Sequence, residues 1–199
     1  MTPATPVPEV MTDAFGFLFG FYGLLLGLAV AEVTAGFSRA WDLRRRRPLG
    51  VVGPLFGAVL LLDLLTYWLA AWGHRGMASV TFQVTFISAI AALLYYFAST
   101  QVFPKEGEAE SLDAHIMDHR KAVVVCVLAS NLTTFLPTFV QEVLSLRQLD
   151  PAGLALWGGL NCVYYGLLVV AGWARSRRVV AGALVTCLVY MIAAYMVFG

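Results

Sequence analysis

Asp63 is the residue with the most chemical potential in this chain. It stands midway along an apolar run over 51–73, about 15–18 Å from either end at ~1.5 Å per residue. A carboxylate at the centre of a bilayer costs about 2.5–3.5 kcal/mol to insert, so such a group either works or is paired. Thr66, Tyr67 and His74 share its helical face, a polar stripe from the middle of the run to its far end. A second run over 122–144 places Asn131 at similar depth, with Thr134, Thr138, Glu142 and Ser145 following on its face. Pro137 interrupts the backbone bonding of that stripe. A third run over 152–174 has Asn161 near its middle, with Trp157, Tyr164 and Tyr165 close by.

Three helices thus put a polar group at one depth. Asp63, Tyr67, Asn131, Thr134 and Asn161 are expected to line a polar midplane cavity for a proton, a cation or a small solute. The alternative is that these groups hydrogen-bond helix to helix and do nothing else. Glu32 is either a relay on the inner side or the partner of Arg39, seven residues on along the same face. The tyrosine pairs at 95–96 and 164–165 read as ordinary aromatics of membrane spans.

Other chemistries lack their residues. Asp113, His115, Asp118 and His119 are the one metal-like cluster, and they read instead as a solvated short helix over 111–121 that runs into the fourth span, with Leu112, Ile116 and Met117 against the membrane surface. Three histidines, none within an apolar run, are too few for a membrane di-iron site or a bis-histidine haem. No lysine lies deep enough for a retinal Schiff base, and there is no His-Glu-x-x-His, Gly-x-Gly-Asp or Walker sequence. No catalytic residue, cofactor, metal or nucleic-acid role is expected. Cys126, Cys162 and Cys187 read as small apolar fillers.

The elements that must position these groups follow from composition. Of 199 residues, 60% are hydrophobic and 13% charged, against roughly 45–50% and 25% in soluble domains. Mean hydropathy is +0.78. Six runs are long enough to cross about 30 Å of hydrocarbon: 15–37, 51–73, 80–103, 122–144, 152–174 and 179–198. Their only charges are Glu32, Asp63 and Glu142. The expected fold is an all-α, polytopic membrane bundle of six transmembrane helices, a single domain over 15–198 after a short outer tail, 1–14, with Thr12 and Asp13 capping the first span.

Orientation follows from basic residues. Arg39, Arg44, Arg45, Arg46, Arg47, Lys105, Arg120, Lys121, Arg175, Arg177 and Arg178 fall on one side, against Arg75 and Arg147 on the other. The first set belongs in the cytoplasm, which puts both termini outside a cell (inner, cytoplasmic-type) membrane. Arg44 to Arg47 also suit anionic lipid.

The first span carries Gly16, Gly20, Gly23 and Gly27 within about 60° of one another. Such a face lets a neighbouring backbone approach closely, whether of this chain, a second copy or a partner membrane subunit. Two functions therefore stand from the sequence: a small transport or channel-like protein working through Asp63, or a non-catalytic membrane subunit packing through its glycine face.

Overall fold

The computed structural model describes residues 9–45, 50–73, 81–104, 111–145 and 151–198. It contains six helices and, among the described residues, no strand: α1 (Glu9–Leu43), α2 (Val52–Gly73), α3 (Phe82–Val102), α4 (Leu112–Ser145), α5 (Pro151–Trp173) and α6 (Arg177–Phe198). Each forms because long apolar stretches without water must satisfy every backbone donor and acceptor internally, and a helix does so within one segment. All but α4 are long and apolar enough over their described residues to cross a membrane. Large apolar side chains cover the outside of the bundle, among them Phe17, Leu24, Phe82, Val189 and Met196. Soluble monomers rarely expose contiguous apolar patches beyond a few hundred Å², so this surface suits lipid.

The helices pack as two connected groups. α1 lies on α2 and α3, and α3 lies on α4. α2, α4, α5 and α6 close a ring, each in contact with the next and α6 returning to α2. The core joins both groups, from Leu26, Ala29 and Val33 on α1 through Phe56 and Leu60 on α2 to Leu184 and Cys187 on α6.

Two helices outrun the apolar stretches that predict them. α1 begins at Glu9 and passes unbroken through Thr12 and Asp13, so those residues are interior to a helix and do not start one. α4 begins at Leu112 and runs continuously to Ser145. Its first turns are not a surface helix on lipid: Leu112 and Ile116 are buried in the core. Leu112 lies against Gly53, where a β-carbon would overlap it.

The start of α4 fastens three other helix ends. Asp113 Oδ1 accepts from Val52 N at 2.8 Å and Gly53 N at 3.3 Å, and Oδ2 accepts from Val51 N at 3.2 Å. It thereby caps α2 from another helix, meeting amides that have no partner within α2. Gly50 reaches this cap with φ of 65°, a backbone shape that glycine adopts freely. His115 Nε2 donates to Gln101 O at the end of α3, 3.1 Å away. Arg120 donates to Ala174 O beyond the end of α5, 3.2 Å away. Every described lysine and arginine lies at this same end of the bundle.

Candidate functional site

Asp63 is 2% exposed and points into the ring of α2, α4, α5 and α6. Its Oδ2 accepts from Tyr95 Oη at 2.7 Å and from Asn131 Nδ2 at 3.0 Å. Asn131 Nδ2 also donates to Tyr95 Oη at 2.9 Å and to its own helix at Val127 O, 3.1 Å. Carboxylate, phenol and amide thus form a closed triangle linking α2, α3 and α4. Bonds of this kind to an ionised acceptor are shorter and about twice as strong as neutral ones.

A fourth group faces the same carboxylate from α5. The buried Tyr164 hydroxyl lies within interaction distance of the Asp63 carboxyl, although less well aligned than Tyr95 and Asn131. Among the described residues no cation pairs with Asp63; the described ion pair lies elsewhere, between Arg39 and Glu32.

Beside this cluster is a cavity of about 300 Å³. Asp63, Thr66 and Asn131 form one wall of it. Trp157, Asn161 and Tyr164 on α5 and Tyr190, Met191 and Tyr195 on α6 form the others. Polar groups in the walls are largely occupied by the protein: Thr66 Oγ1 donates to Asp63 O, Asn161 Nδ2 to Trp157 O, and Tyr190 Oη to Leu160 O at 2.6 Å. Phe135 packs on Trp157 with ring centroids 5.0 Å apart, which steadies that wall. The cavity occupies the half of the bundle away from the basic end, near the start of α5 and the end of α6. No family model, curated protein or solved structure matches the chain. Any account of the site therefore rests on its own geometry.

The residues expected from sequence separate into four groups. Asp63, Asn131 and Asn161 share the cavity. Tyr67 and Thr134 pair with each other at 2.6 Å, beside Ser130 O and outside the cavity lining. Ser130 in turn donates to Ala91 O at 2.9 Å, so this patch joins α2, α4 and α3. His74 and the side chains of Thr138, Glu142 and Ser145 lie outside the described residues. Glu32 accepts from Arg39 at 2.8 Å, the ion pair that its spacing allows.

The glycine stripe does not act as a unit inside the chain. A β-carbon on Gly23 would overlap the Trp68 indole, whereas one on Gly16, Gly20 or Gly27 would meet nothing within 4 Å. The tight glycines are elsewhere: Gly36 lies under Phe103, and Gly57 under Phe37 and Phe103.

Tyr95 was not singled out by sequence, and Tyr164 only as a neighbour of Asn161, yet both phenols lie at the carboxylate. Each is the first member of a tyrosine pair; Tyr96 is exposed and Tyr165 half-buried. The available signal was chemical: a buried acid needs donors, and both pairs lie at its depth.

Proposed function

We propose that this chain is a six-span membrane protein that passes a proton, a cation or a small solute through the cavity beside Asp63. The carrying observation is a carboxylate that is held by Tyr95 and Asn131, has no described counter-ion, and lines a cavity of about 300 Å³. An uncompensated buried charge is costly, and either a proton or an arriving cation removes that cost. A merely structural aspartate needs no adjoining cavity.

In this reading α4 is the remaining span, both termini lie outside, and the basic end faces the cytoplasm of a cell membrane. The eleven-to-two division of the basic residues between the two sides of the spans supports it. Arg44 stacks over Trp41, 3.9 Å from the ring centroid. An exposed tryptophan beside arginine suits the headgroup layer, where the run from Arg44 to Arg47 meets anionic lipid. A non-catalytic subunit is the rival. Its support is the outward-facing Gly16, Gly20 and Gly27, open to a second copy or a partner helix.

Reconstituted vesicles test the choice. Proton, potassium and small-solute gradients are applied to the unmodified protein and to Asp63→Asn, with melting temperatures measured on the same samples. The expected result is flux that falls sharply in the variant while the fold survives, since asparagine keeps the size of the side chain. Absence of flux in the unmodified protein under every gradient overturns the reading in favour of the subunit.

A further inference from the structure

We infer that the cavity beside Asp63 binds a small organic ammonium ion, its nitrogen at the carboxylate and its carbon substituents against the aromatic walls. The inference rests on the reading that this cavity takes a ligand, and it names the ligand's class.

Size gives the first argument. About 300 Å³ is roughly ten times the ~30 Å³ share of one water. It lies at the lower bound of small-molecule pockets, about 300–1,000 Å³. A bare ion or a proton leaves most of that space unfilled.

Charge gives the second. Among the described residues, Asp63 is the one acidic residue lining the cavity, and no basic residue lines it. An anion has nothing to meet there. A cation finds a carboxyl group already oriented by two donors.

Wall chemistry gives the third. Hard metal ions take six or more oxygen ligands, or keep several waters. Among the described residues no three histidine, cysteine or acidic side chains group to hold a metal. The walls instead present Trp157, Tyr190 and Tyr195, with Met191 between. Aromatic faces attract organic cations by about 0.5–2 kcal/mol each, tryptophan most.

The buried Tyr164 hydroxyl refines the class. It sits beside Asp63 as a further oxygen at the carboxylate. An ammonium carrying at least one N–H donates to that oxygen or to the carboxylate. A protonated tertiary or simpler amine thus fits more fully than a permanently quaternary one.

The test is calorimetric binding of triethylammonium chloride to the purified full chain in lipid nanodiscs, with potassium chloride and the neutral N,N-diethylacetamide as controls. Triethylammonium is expected to bind at least tenfold more tightly than either control. Trp157→Leu should weaken it about tenfold, within the cation–π range, and Asp63→Asn should remove it. If Asp63→Asn does not fold, Trp157→Leu and Tyr195→Leu, checked for helicity and monodispersity, carry the test. No binding to the unmodified protein, affinity matched by potassium or the amide, or binding unchanged in the wall variants overturns the inference. Binding without flux in vesicles upholds this site and overturns the transport reading. Flux of another solute without binding does the reverse.

Discussion

Tyr95→Phe is the sharpest probe of the carboxylate. The substitution removes one oxygen from a side chain that is fully buried and otherwise leaves the ring in place. That oxygen donates to Asp63 Oδ2 at 2.7 Å and accepts from Asn131 Nδ2 at 2.9 Å. If Asp63 is ionised, the first bond is worth about 1.5–3 kcal/mol, against about 0.5–1.5 kcal/mol for a bond between neutral groups. The single variant should therefore lose about 2 kcal/mol. In an Asp63→Asn background the same change removes only a neutral bond and should cost about 1 kcal/mol. The coupling between the two sites is then about 1 kcal/mol, beyond the ~0.3–0.5 kcal/mol within which independent sites add.

Equilibrium unfolding in mixed micelles, followed by circular dichroism on the four proteins of the cycle, measures that coupling. Tyr96→Phe serves as a control, because Tyr96 is the exposed member of its pair and its change should stay within about 0.5 kcal/mol. A coupling below about 0.5 kcal/mol would refute Asp63 as a charged acceptor. The triangle would then be an ordinary neutral network.

Two further outcomes check the packing. Asp113→Ala removes a cap that serves three backbone amides of α2 and should cost about 1–2 kcal/mol, read as a lower melting temperature; Asp113→Asn should recover part of it. Gly23→Leu forces a side chain into the Trp68 indole and should cost about 1–3 kcal/mol by overpacking, while Gly20→Leu should leave the isolated chain's melting temperature nearly unchanged. Damage from Gly20→Leu equal to that from Gly23→Leu would mean that another molecule covers the open glycine face.

The helices were legible because lipid leaves an apolar segment one way to satisfy its backbone. The predicted runs over 51–73, 80–103 and 152–174 end within about two residues of α2, α3 and α5. α1 and α4 extend further because their extra turns are amphipathic, and an apolar run stops where charge begins. Leu112 and Ile116 show the limit: an apolar pair four residues apart fits a lipid surface or a protein core equally well. What decides is Asp113 reaching the start of α2, a contact between residues sixty positions apart. Asp63 and Asn131 were legible as polar groups at one depth. Tyr95 and Tyr164 were not, because a pair of tyrosines does not reveal which ring turns inward. The glycine stripe failed similarly: four glycines look alike in sequence, and only the packing of α2 on α1 places Trp68 over one of them.

The clasp and the cavity occupy opposite halves of the bundle, and α4 takes part in both. At the basic end Asp113, His115 and Arg120 fasten the ends of α2, α3 and α5. Further along, Asn131 reaches Asp63, and Thr134 reaches Tyr67. Loosening the clasp releases backbone amides and carbonyls that have no other partner within their helices, so this end resists rearrangement. The other half has a cavity where side chains could have interlocked, and its inner wall holds a carboxyl group that packing alone does not require. Close packing ordinarily leaves few voids larger than a water molecule. A bundle stitched at one end and open beside the one buried acid among its described residues suits access there, and the variants of Asp63 and Tyr95 test that reading.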